Sequence, residues 1–110
     1  MIFSTQDNTT IITQEESTIP ELILEINKLY DKYKNDNIIV DLITLNKVST
    51  DDILEFLQIS NMHRKAKHSF IVVSNTINFD DIPDEIVVVP TLQEGYDIIE
   101  MEEIERDLGF

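Results

Sequence analysis

The chain has 110 residues, no cysteine, and 22 acidic against 8 basic side chains, for a net charge of −14. That length builds one domain around a single core, and the absence of thiols excludes disulfides and thiolate metal ligands. The acidity repels a polyphosphate backbone and argues against nucleic acid as a direct ligand. The opening MIFSTQDNTT has neither a basic nor an apolar signal region, and no apolar run approaches the roughly 18 residues of a membrane helix, so a cytoplasmic chain without membrane attachment is expected.

Met1 to Thr5 and Thr9 to Thr13 are short segments rich in β-branched and aromatic residues around Gln6-Asp7-Asn8, which predicts a hairpin. Thr18-Ile19-Pro20-Glu21 then supplies a hydroxyl N-cap, a proline in the first turn and a carboxylate that reaches back, so a helix begins there. Its apolar residues Leu22, Ile23, Ile26, Leu29, Tyr30 and Tyr33 recur at helical spacing, and Asn35-Asp36-Asn37 ends it. Asn37 to Leu42 is a nearly continuous apolar run, the pattern of a central strand covered on both faces.

Ser49-Thr50-Asp51-Asp52 offers caps and carboxylates at the start of a second helix, with Thr50 and Asp51 as capping residues. Ile53, Leu54, Phe56, Leu57 and Met62 are expected on its inward face and Arg64, Lys65 and Lys67 at its end. Ser69 to Ser74 and Glu85 to Val89 repeat the buried-strand pattern on either side of a short turn or helix at Phe79 to Ile82. Thr91-Leu92-Gln93-Glu94 caps a final helix after Pro90, with Leu92, Ile98, Ile99, Ile104 and Leu108 expected inward, and Gly95-Tyr96 as its weak point in propensity. The order β-β-α-β-α-β-(α)-β-α predicts an α/β domain in which helices pack against a mixed sheet of about five strands through right-handed crossovers.

Catalytic and cofactor motifs are missing. Two glycines, Gly95 and Gly109, cannot write a GxxxxGKS or GxGxxG phosphate loop. His63 and His68 lack a third ligand at metal-site spacing, so surface or satisfied structural roles are expected. The pairs Asp51-Asp52, Asp80-Asp81 and Glu102-Glu103 are what so acidic a composition produces, and no serine lies in a GxSxG elbow. No catalytic residue, metal or cofactor is assigned. Seven carboxylates against one cation, Arg106, between Glu94 and Asp107 read as a solvated helix face or a docking surface for a basic partner.

The element order, the strand-end pair Asp41-Leu42, and Ser49-Thr50-Asp51-Asp52-Ile53 followed by Phe56-Leu57 resemble a STAS domain, the fold of anti-sigma-factor antagonists, over about residues 9 to 100. The stretch Ile86 to Gly95 is similar to the family's last strand and the start of its final helix. The resemblance implies a non-catalytic regulatory domain that docks a protein partner, an anti-sigma factor, a kinase or an enzyme, through Ser49, Thr50, Asp51, Asp52, Ile53 and Phe56. The family's phosphoregulated members carry an Asp-Ser-Ser-Gly-Leu type motif in which a kinase modifies the second serine. Asp51 stands at that place and Asp52 replaces the glycine, so the resemblance implies that the usual phosphoserine switch is missing, with Ser49 and Thr50 left as candidates for modification.

The final stretch, Ile99 to Phe110, is similar to short bacterial proteins sometimes named ribonuclease Z. This chain lacks that enzyme's HxHxDH metal motif, so the similarity implies a misapplied name or a functional partnership. An acidic helical extension is expected over 101–110, beyond a STAS-like domain over 1–100. Its residues Met101, Ile104, Leu108 and Phe110 form either an amphipathic hook for a partner or packing onto the domain's own sheet. A monomer or weak homodimer is expected, and a small-ligand sensor is the reading that competes with partner docking.

Overall fold

The computed structural model describes residues 2–14, 18–45 and 47–109. Strands β1 (Ile2–Gln6) and β2 (Thr9–Thr13) form the expected hairpin, closed by the Gln6–Thr9 pair; Met1 lies outside the described residues. Its two-residue turn needs a left-handed residue, and Asp7 supplies it at φ 56°.

Helix α1 (Ile19–Tyr33) starts where the capping pattern places it, with Thr18 Oγ1 accepting from the Glu21 amide at 3.3 Å. Then follow β3 (Asn37–Asp41), α2 (Thr50–Leu54), α3 (Leu57–Lys65), β4 (Phe70–Val73), a 3₁₀ turn (Phe79–Asp81), β5 (Val87–Val89) and α4 (Leu92–Asp107). The last two strands are shorter than their apolar runs, because Ser69, Ser74, Glu85 and Ile86 fall outside the ladder.

The sheet order is β1-β2-β3-β4-β5, antiparallel at β1–β2 and parallel thereafter. Each parallel step moves to the next strand in the same direction, so right-handed crossovers put the intervening helices on one face. Accordingly Ile38, Val40, Phe70 and Val72 pack with Leu22 and Ile26 of α1, Ile53 of α2 and Ile59 of α3. The alternate residues Ile39, Ile71 and Val73 meet Ile99 of α4 on the other face. This two-sided cover explains why the central strands read as unbroken apolar runs. Burial of each such Ile, Val or Leu side chain stabilises by about 1.5–3 kcal/mol.

Two expectations are corrected. The second helix is two helices: the amides of Glu55 and Phe56 bond back three residues, to Asp52 O and Ile53 O, and the tightened turn sends Phe56 into the core. The break resets the helical phase, so Leu54 and Met62 face outward rather than inward. On α4, Ile104 and Leu108 also face solvent, at 54% and 67% exposure. The inward stripe is Gly95, Ile99, Glu102 and Arg106, which turns polar where the helix reaches the beginning of β3 and β4.

Gly95 is the residue that lies flat on the sheet. A Cβ built there would stand 3.6 Å from Ile39 Cδ1 and from Ile71 Cγ2, in ordinary contact.

Candidate functional site

The residues carrying the family resemblance lie where β3 and β4 end and α2 begins. Asp41 closes the strand, its Oδ1 accepting from the Ile43 amide at 3.1 Å, while Leu42 N donates to Val73 O and Leu45 N to Leu42 O. Thr44 Oγ1 donates to Gln14 O at 3.0 Å and Thr76 Oγ1 to Val48 O at 3.2 Å, so the ends of β2 and β4 hold both sides of the loop.

Ser49 is the N-cap. Its Oγ accepts from the Asp52 amide at 3.1 Å, and Asp52 Oδ2 accepts from the Ser49 amide at 3.0 Å, a reciprocal box that satisfies two orphan donors. This corrects the capping assignment: Thr50 and Asp51 are the first two helical residues, not the caps. Asp51 is therefore exposed and uninvolved in the box, whereas Asp52 is half-buried and committed to it.

The six expected docking residues divide by depth. Ser49 and Asp51 are exposed, Thr50 and Asp52 are half-buried, and Ile53 and Phe56 are wholly buried in the core. The last two hold the helix from below, and exposed Leu54 and Glu55 extend the outer edge instead. Of the two candidates for modification, Ser49 is the more accessible, but its oxygen is already occupied as the cap.

Beneath this loop is a residue the motif did not single out. Gln14 is fully buried after β2, and neither its amide oxygen nor its amide nitrogen has a hydrogen-bond partner among the described residues. A lone polar residue after a β-branched run is no sequence signal for such a site.

At the opposite end of the sheet, α4 is fastened by polar side chains. Arg64 pairs with Glu102, whose Oε1 also accepts from Ser69 Oγ at 2.6 Å. Glu103 accepts from Asn8 Nδ2 at 3.1 Å and Asn37 Nδ2 at 3.2 Å. Helix α4 continues through residue 101 without interruption, so residues 101–107 share one helix with the sheet-packed Gly95 and Ile99. Met101, Ile104 and Leu108 are all exposed, Ile104 beside the β1–β2 turn, so none of them is packed into the core, which corrects the packing alternative; Phe110 lies outside the described residues.

His63 is buried with both nitrogens engaged. The Asp36 carbonyl can only accept, so Nε2–H donates to it at 2.7 Å and Nδ1 accepts from the Tyr30 hydroxyl at 2.7 Å. Burial holds the imidazole below its ordinary pKa and pushes the Tyr30 hydroxyl up, and both effects preserve this neutral pair. His63 thus offers no free nitrogen to a metal, while the His68 ring stacks on it at 5.3 Å.

Among the described residues, no helix is long and apolar enough to cross a membrane. No family model and no curated protein matches the chain, so the resemblance of its last residues to ribonuclease Z-named proteins gains no support from them. The fold is similar to that of a solved chain of the stressosome, described there as a signal integration and transduction hub. The TM-score is 0.61 at 13% identity over 90% of this chain and 96% of that one. With five strands in that order and helices on both faces, the architecture is a STAS-like α/β fold.

Proposed function

We propose that this chain is a cytoplasmic, non-catalytic regulatory domain of the STAS type that acts by docking a protein partner through the outer edge of α2, without the usual phosphoserine switch. The observation that carries the reading is the division of labour around α2. Ile53 and Phe56 are sunk in the core and Ser49 and Asp52 close the capping box, so a short helix is held rigidly and presents Thr50, Asp51 and Leu54 outward. A rigid base under a small exposed edge keeps the ordering cost of association low. Asp51 carries one permanent negative charge where the family's modified serine would stand, and a phosphate would bring about −1.5 to −2. The edge of so acidic a domain suits a basic surface on an anti-sigma factor, a kinase or an enzyme.

The test is capture from the native cytosol with wild type and Asp51→Lys side by side, each shown to be folded by circular dichroism. Asp51 lies outside the capping box, so its replacement leaves α2 in place. A protein retained by wild type and lost by the variant supports the reading and identifies the partner. Equal retention removes this edge from the account, and capture of nothing by a folded bait counts against docking altogether.

A further inference from the structure

Where the parallel strands begin, at the end of the sheet away from α2, the chain gathers much of its scarce positive charge. Of its 8 lysines and arginines, Arg64, Lys67 and Arg106 line one open cavity of about 310 Å³ together with His68 and Gly109. A second hollow of about 210 Å³ shares Lys67, His68 and Arg106 with it.

The two arginines differ in how their charge is used. Arg64 is neutralised by Glu102 in a two-pronged ion pair. Arg106 is held by neutral groups: Nη1 and Nη2 each donate to Ser69 Oγ at 3.3 Å, and Nη2 also donates to Asn37 Oδ1 at 3.5 Å. It forms no ion pair among the described residues, although Glu102, Glu103 and Asp107 stand on the same helix. Glu102 is occupied by Arg64 and Ser69, and Glu103 by Asn8 and Asn37. A half-buried guanidinium whose Nη groups meet only neutral oxygens keeps its charge unneutralised and its Nε–H available to an oxyanion.

The other two groups come from the turn between α3 and β4. Lys67 stands in the left-handed region at φ 68°, where a helix end favours glycine or asparagine. His68 is half-buried and makes no side-chain hydrogen bond among the described residues.

We propose that this cavity binds a phosphate-bearing small molecule, with Lys67, His68 and Arg106 contacting its phosphate group. The volume lies at the lower end of the roughly 300–1,000 Å³ of small-molecule sites, enough for a phosphate with a small attached group. The domain's net negative charge does not prevent binding, because at physiological ionic strength the screening length is about 8 Å and only the carboxylates at the cavity rim act at full strength. The site is independent of the α2 edge, and its failure leaves the docking proposal untouched.

The experiment uses the whole chain labelled with ¹⁵N and titrated in a phosphate-free buffer with inorganic phosphate and, separately, inorganic pyrophosphate. Saturable shifts are expected at the amides of Lys67, His68 and Gly109 and at the Arg106 Nε–H, with pyrophosphate binding the tighter. Lys67→Gly suits the backbone at that position, so the variant folds; it is expected to weaken binding at least tenfold, as is Arg106→Gln. Lys65→Ala, which removes a nearby cation that does not line the cavity, leaves binding within twofold. Absence of saturation, or equal weakening by Lys65→Ala and Lys67→Gly, overturns the proposal.

Discussion

Lowering the pH should destabilise this domain through His63, and the size of the effect follows from linkage. The imidazole is buried, its Nε2–H is donated to Asp36 O and its Nδ1 accepts from the Tyr30 hydroxyl, so a second proton places a charge in the core and forces the Tyr30 hydroxyl to turn from donor to acceptor. Burial is the main cause that lowers its pKa; the Asp36 carbonyl and charge raise it, and His68 and Arg64 lower it. In the unfolded chain the same group titrates near 6.5, so below that pH the unfolded state binds more protons than the folded one. Stability is then fully present above about pH 6.5 and falls as the pH drops toward the folded-state pKa, with a slope of up to about 1.4 kcal/mol per pH unit for one proton.

His63→Phe removes the titration. Above pH 7 it also costs about 1–3 kcal/mol by leaving the Asp36 carbonyl without its partner. Urea denaturation of both proteins at pH 5, 6, 7 and 8 measures the difference in stability directly, with the 22 carboxylates common to both cancelling. The advantage of wild type should shrink steadily from pH 7 to pH 5. A difference that stays constant over that range, or grows as the pH falls, would refute the assignment of a neutral buried histidine.

Three further substitutions test other parts of the structure. Gln14→Met keeps the volume and removes two buried atoms that have no partner among the described residues; it should stabilise the domain by about 1–2 kcal/mol in denaturant titrations, and a loss of stability would refute the claim that the buried amide costs the fold free energy. Ser49→Ala should cost about 1 kcal/mol through loss of the capping box, while Thr50→Val stays within about 0.5 kcal/mol; the reverse order would return the cap to Thr50. Gly95→Ala should raise the melting temperature, since its methyl group would meet Ile39 and Ile71 at ordinary contact distance and helix propensity improves by about 1 kcal/mol; a drop would mean that α4 lies closer to the sheet than 3.6 Å allows.

Most of the element order is legible in the sequence, because its signals are local. Thr18 and Thr91 cap the helices that follow them by bonding an amide three residues on, a short-range event within one turn. The runs Asn37 to Leu42 and Ser69 to Ser74 announce buried strands whatever covers them. The helix break at Glu55 and Phe56 leaves no such mark. Phe56 at that point satisfies a helical pattern and a core pocket equally well, and only the position of Phe70, 6.3 Å from it between ring centres, favours the pocket. Ile104 and Leu108 misled for a related reason: apolar spacing says that two residues share a face but not that the face has a sheet beneath it.

The sequence by itself determined the α/β class, the chain order of the strands and most of the helices, and the caps at Thr18 and Thr91. The tertiary structure decided which side of each helix was used and which distant residues became neighbours. Arg64, Lys67 and His68 on one side and Arg106 on the other are separated by about forty residues, and Tyr30 and His63 by 33. Their meeting depends on α4 running back along the sheet and on α1 and α3 sharing the opposite face, a consequence of crossover handedness and packing that no local pattern contains.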